Sequence, residues 1–227
     1  MIIIFLLIII IICLLLAINN FNFYETFTNN NNNNSQKSQN VVLIGDSMLN
    51  NSNYVSQGES VPDLLSNKLI GTAAVYNFAK DGATIADCYA QLDKISSNLN
   101  NSNTTIFVSC GGNNILNSRG PTDSDYITNL FDQYSELLKS VNVVASSANA
   151  DIYVLNLYTP TSGHYTSYHS AINQWNQLLD DNAFSLGYTV VKTSSLLTVD
   201  EDFTYGIEPS YKGGKKLVSK LVNSVSS

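Results

Sequence analysis

From residue 41 to the C-terminus, short β-branched runs alternate with stretches whose apolar residues recur at helical spacing, and this alternation constrains the fold most. VVLIG (41–45) is a continuous run halted by glycine, the pattern of a strand buried on both faces of a parallel sheet. VPDLLSNKLI (61–70) follows as a helix, with Ser60 as N-cap and Val61, Leu64 and Leu65 on one face. AVYNFA (74–79), TTIFVSC (104–110), DIYVLNL (151–157) and YTVV (188–191) read as further strands. Between them, ATIADCYAQLDKI (83–95) reads as a helix. So does the segment after Asp123, where Ile127, Leu130, Phe131, Tyr134, Leu137, Leu138 and Val141 share a stripe. Ile172, Trp175, Leu178 and Leu179 mark another helix ending near Gly187, and Leu217, Val218, Leu221, Val222 and Val225 mark the last. Five strands alternating with helices require right-handed crossovers, hence a five-stranded parallel sheet covered on both faces in a three-layer α/β/α fold.

Upstream of this domain stands MIIIFLLIIIIICLLLAI (1–18), an unbroken apolar run. As a helix it would span about 27 Å, close to the roughly 30 Å hydrocarbon core of a bilayer. No Lys or Arg precedes it and only Ala17 resembles a cleavage position, so an uncleaved transmembrane anchor is expected, with a cleaved signal and secretion as the alternative. Residues 19–40 form an asparagine-rich polar tract that cannot bury enough apolar surface to offset its ordering entropy. It reads as a disordered tether holding the 41–227 domain off the membrane, on the exoplasmic side. The sequons at Asn33, Asn50, Asn100 and Asn103 suit that placement but arise easily by chance in so asparagine-rich a chain.

A net charge of −7 excludes a nucleic-acid binder, which needs clustered Lys and Arg to displace counterions. Cys13, Cys88 and Cys110 form no CxxC pair and no metal-type spacing, and no metal or nucleotide cofactor is expected. Cys88 and Cys110 are expected to be small buried apolar groups, a disulfide between them being the less favoured alternative.

In sheets of this kind the reactive site lies beyond the carboxyl ends of the strands. Gly45-Asp46-Ser47 follows the first strand, Lys80-Asp81-Gly82 the second, and Gly111-Gly112-Asn113-Asn114 the third. Behind the fourth comes TPTSGHYTSYH, with both histidines, His164 and His169, and the fifth leads to Glu208. Gly45 permits a tight turn, Ser47 would sit at a helix N-terminus that favours a developing alkoxide, and Gly82 lets a backbone N–H approach a ligand. Asn113 is a neutral donor suited to an oxyanion.

VVLIGDS, Gly82 in NFAKDGAT, and GGNN, in this order, resemble the SGNH/GDSL hydrolase superfamily. Its members are flavodoxin-like ester hydrolases acting on acetylated sugars, lysolipids, thioesters and small acyl esters. The resemblance runs from about Val41 to the C-terminus. It implies Ser47 as nucleophile and an oxyanion hole made by the N–H groups of Ser47 and Gly82 and the Asn113 amide. Asn114 stands where the family's GxND block has aspartate. The family's last block, Asp-x-x-His-Pro, reads Tyr205-Gly206-Ile207-Glu208-Pro209, so Glu208 occupies the position of the histidine and Tyr205 that of its aspartate.

Three readings stay open. The protein could be a catalytically inactive module binding glycan or acyl ligands. Glu208 could itself be the base, provided burial raises its pKa. Or His164 or His169 could supply the imidazole, with Tyr158, Tyr165 and Tyr168 of the same loop stacking on a sugar. An ester hydrolase of altered or weak activity, acting on a small acyl ester or glycan ester, is the expectation.

Overall fold

The computed structural model describes residues 40–95, 99, 103–118, 123–161 and 163–225. The expected anchor (1–18) and nearly all of the tether lie outside these residues; among the described residues no helix is long and apolar enough to cross a membrane. Strand β1 (Asn40–Gly45) begins one residue before the expected boundary and is buried along its whole length, as is β3 (Thr104–Ser109). With β2 (Ala74–Asn77), β4 (Ala150–Leu155) and β5 (Thr189–Val191) they form a parallel sheet in the order β2-β1-β3-β4-β5. This is the flavodoxin-like doubly wound order, in which strand order reverses beside the first strand. The central strands carry the continuous β-branched runs because both their faces are covered.

The helices form two groups. Helix α1 (Val61–Lys68), with Ser60 accepting the Asp63 N–H as its cap, packs on the C-terminal helix. On the other side α2 (Ile85–Leu92) and the 25-residue α4 (Ser124–Ala148) pack together, and α5 (His169–Asn182) joins α4. The seven apolar residues read as a stripe on α4 are all buried there, with Trp175 of α5 meeting Phe131 and Tyr134 at ring distances of 5.5 and 5.1 Å. The last helix, α6 (Tyr211–Val225), buries Leu217, Val218, Leu221 and Val225.

Local chemistry trims two expected elements. Strand β2 stops at Asn77, whose side chain accepts the Ala79 N–H (3.1 Å) and turns the chain. Helix α2 starts at Ile85 because Asp87 accepts the Thr84 N–H at 2.8 Å and fixes the helix start there. Two features have no counterpart in the sequence reading. A short helix, α3 (Gly112–Leu116), follows β3 directly, and β6 (Phe203–Thr204) pairs antiparallel with β7 (Glu208–Pro209), with Thr204 opposite Glu208.

Candidate active site

The chain leaves β1 through Gly45, whose φ of +136° suits glycine alone and where a Cβ would lie 1.8 Å from the Ser109 carbonyl oxygen. The buried Gln91 side chain holds this point from the side, donating to the Gly45 carbonyl (2.9 Å) and accepting the Gly45 N–H (2.7 Å). Asp46 and Ser47 follow. Ser47 opens a single turn in which the Leu49 and Asn50 N–H groups bond the Asp46 carbonyl (3.1 Å each), rather than the helix the sequence suggested. Any electrostatic help to the serine from a helix dipole is therefore confined to one turn.

Glu208 meets Ser47. It is buried in β7 and lines the same cleft as Ser47, whose hydroxyl acts on its carboxyl group, while its Oε2 has no partner among the described residues. Asn51, wholly buried, fixes this approach by donating to the Pro209 carbonyl and accepting the Val61 N–H, both at 2.7 Å. The loop after the first strand is thus tied to the loop that carries the carboxylate. Burial raises the Glu208 pKa above its ordinary 4.5; the neighbouring Ser47 hydroxyl partly offsets this, and the Asp81 charge adds to it.

A second carboxyl group, unforeseen in the sequence reading, stands beside the pair. Burial raises Asp46 to about 7; hydrogen bonds from the Ser109 hydroxyl (2.9 Å) and the Met48 N–H (3.1 Å) oppose the shift, and the Glu208 charge reinforces it. Near neutrality Asp46 is therefore partly protonated. Only its place at the end of an apolar strand signalled this carboxyl group in the sequence.

A stability prediction follows from Asp46. Its folded-state pKa lies above the unfolded value of 3.8, so its contribution is complete below about pH 4 and is lost as pH rises through about 7. The loss is about 4 kcal/mol at most, the free-energy equivalent of moving the group from 3.8 to about 7. Urea unfolding at pH 5 and pH 8 should show the wild type weaker at the higher pH, and Asp46→Asn should flatten that difference.

Asn113, at the start of α3, lines the same cleft. One N–H of its amide donates to the Ala83 carbonyl at 2.9 Å, which fixes the group's orientation and leaves the second N–H for another acceptor. Gly82, with φ +74°, stands one residue before Ala83 but does not itself line the cleft. Among the described residues neither the Ser47 nor the Gly82 N–H has a backbone acceptor. Asn114 accepts the Ile85 N–H at 3.0 Å, tying α3 to the first turn of α2.

The loop histidines are placed differently. His169 donates from Nε2 to the Pro160 carbonyl at 2.7 Å and is not among the residues that line the cleft. His164 opens a 3₁₀ turn (His164–Tyr168), and its side chain lies outside the described part. Of the loop tyrosines, Tyr158 bonds the Ile207 carbonyl, Tyr168 bonds the Leu116 carbonyl at 3.4 Å, and both pack on the core. The Tyr165 ring lies against Gly206. Tyr205, at the family's aspartate position, sits at the tip of the β6–β7 ribbon with φ +51°. It is 75% exposed, its ring set edge-on to Tyr54 at 5.8 Å, so it contacts neither Ser47 nor Glu208 as an orienting acid would.

Asp46, Ser47, Asn113 and Glu208 form the polar end of a cleft holding about 530 Å³ of empty space, its mouth included. Met48, Ile115, Leu116, Leu157, Ile172 and Ile207 line the rest. A serine hydroxyl and a buried carboxylate lining one apolar recess with an oriented amide form an arrangement suited to attack on an acyl group.

Similar architectures occur among solved structures. A lipolytic protein of the G-D-S-L family from Veillonella parvula matches at a TM-score of 0.65 and 14% identity, over 82% of this chain and 97% of that one. The lipase/acylhydrolase of Enterococcus faecalis matches at 0.63 and 18%, over 82% and 95%. An acetylxylan esterase from Geobacillus stearothermophilus matches at 0.59 and 14%, over 84% and 95%. No curated protein matches at the level of sequence. The sequence profile of the GDSL-like Lipase/Acylhydrolase family matches residues 41–208, from the first strand through Glu208. With that match spanning most of the chain, and with its strand order and serine-bearing first turn, the chain belongs to the GDSL-like lipase/acylhydrolase family.

Proposed function

We propose that the protein is a serine ester hydrolase in which the Glu208 carboxylate, in place of a histidine, takes the proton of Ser47. The burial of Glu208 beside Ser47 at the polar end of one cleft carries this reading. Glu208 accepts the Ser47 proton as Oγ bonds to the ester carbonyl carbon. The resulting oxyanion is held by the Asn113 amide and the Ser47 N–H; Gly82, which the family resemblance added to this set, does not line the cleft. Collapse of the oxyanion breaks the bond to the alcohol, which leaves with the proton held on Glu208. Water, deprotonated by Glu208, then attacks the acyl-serine and frees the acid, and Ser47 recovers its proton. The two departures from the family's last block belong together: an imidazole needs an acid to fix its tautomer, whereas a carboxylate has no tautomer to fix. Tyr205 is thereby released from the relay.

The apolar recess suits a short acyl group. Outside it, Tyr54 and Tyr205 line a surface groove with Asn53, Ser56 and Ser210, a mixture of ring faces and hydrogen-bonding groups that fits a sugar ring. Burial, then the nearby Glu208 charge, raises the Tyr54 pKa, which puts the groove beside the reacting groups. We take the substrate to be an O-acetylated carbohydrate, with the sugar hydroxyl as the leaving alcohol, the substrate class that the name of the fold neighbour from Geobacillus stearothermophilus also describes.

The test is acetate release from an aryl acetate and from an acetylated xylo-oligosaccharide, between about pH 4 and pH 9, beside Ser47→Ala. Expected is a modest rate that Ser47→Ala abolishes. Absence of any Ser47-dependent rate across that range, with glycan binding retained, would make the protein a non-catalytic binding module.

A further inference from the structure

We infer that Cys88 and Cys110 are a disulfide-forming pair that staples together the two arms bearing Gly82 and Asn113, contrary to the sequence expectation of two inert thiols. Their sulfurs lie 3.1 Å apart, and both thiols are free and buried. A disulfide bond is about 2.05 Å long, so closure asks for an approach of about 1 Å. The position gives the bond a purpose. Cys88 lies on the buried face of α2, the helix entered from Gly82, and Cys110 links β3 to the Gly111 turn that opens α3. Non-covalent ties already cross this seam: the Asn113 amide to the Ala83 carbonyl, the Ile85 N–H to the Asn114 side chain, and Gln91 to both polar groups of Gly45. A covalent link at the same seam holds the amide donor and the glycine loop in register.

The chemistry balances with a low-molecular-weight disulfide as oxidant. One cysteine, as thiolate, attacks the external disulfide and expels one small thiol. The second cysteine attacks the mixed disulfide and expels the other. The S–S bond forms, the protein loses two protons and two electrons, and the small disulfide gains them as two thiols. Burial, and then the neighbouring Cys88, pushes the Cys110 thiol well above its ordinary range, and neither sulfur reaches solvent in the folded domain. Exchange therefore takes place while the α2–β3 seam is open during folding, and the closed bond is shielded afterwards.

The test uses the full chain, unfolded and refolded either in dithiothreitol or in a mixture of reduced and oxidised glutathione, then alkylated in denaturant and mapped without reduction. In the glutathione sample a Cys88–Cys110 linked peptide, two hydrogen masses lighter than the sum of its parts, is expected. Closing a loop of this span should raise Tm by about 6–12 °C relative to the dithiothreitol sample. Dithiothreitol added to the folded, oxidised protein should leave the link intact until denaturant is added. Full alkylation of both cysteines after oxidising refolding would overturn the inference, as would a linked form with a Tm no higher than the reduced one. The mapping needs no substitution and no turnover, so it stands apart from the hydrolase reading.

Discussion

Glu208→Gln is expected to lower kcat/KM for an aryl acetate by about 10²–10⁴-fold at neutral pH, the usual share of a general base. The amide has the same shape but cannot take the proton. Folding should survive the change. The carboxylate is buried and its Oε2 has no partner among the described residues, so removing its charge relieves desolvation. The variant's Tm near pH 8 should equal or exceed the wild type's, which separates lost chemistry from lost structure. In the wild type the rate should climb with pH as Glu208 ionises, with a midpoint above 4.5, since burial and the Asp81 charge outweigh the opposing effect of the Ser47 hydroxyl. Steady-state rates against pH, with thermal melts of both proteins, check each part. If His164→Ala removes the rate while Glu208→Gln preserves it, the base is in the loop after β4 and the role assigned to Glu208 is wrong.

Asn113→Ala should cost about 10²–10³ in kcat, the loss found when one oxyanion donor is removed, with KM little changed because the interaction strengthens only as charge develops. The Ala83 carbonyl already holds one of its N–H groups at 2.9 Å, so the second is positioned before substrate arrives. Asn113→Asp removes both donors and adds a charge beside the oxyanion, and should fall further. The kcat and KM of both variants, measured with the same aryl acetate, decide this. A drop confined to KM would make Asn113 a ground-state binding group.

The main frame of the fold was legible in the sequence because its signals are long and redundant. The stripe on α4 spans four turns, and the runs of β1 and β3 are continuous because both faces are covered. The ends of those strands then located Ser47 and Asn113. The β6–β7 ribbon was not legible, since two residues per strand are too few for any periodicity to show. Glu208 could be aligned with the family's histidine, but its contact with Ser47 depends on Asn51, a buried cross-link over 158 residues that no local pattern encodes. The shifted pKa of Asp46 and the thiol contact of Cys88 with Cys110 arise likewise from packing between distant segments. For Tyr205, alignment suggested a place in the proton relay; its positive φ at a ribbon tip instead turns the ring out onto Tyr54.

The central claim, that Ser47 is a nucleophile activated by Glu208, is tested most directly by covalent labelling with a fluorophosphonate, followed by peptide mass spectrometry across the acid range. Such a reagent reports the nucleophile without requiring the correct alcohol. The account predicts a single adduct on Ser47, forming at a rate that rises with pH through a midpoint above 4.5, and forming far more slowly in Glu208→Gln. No adduct on Ser47, or an adduct forming equally fast in Glu208→Gln, would contradict it.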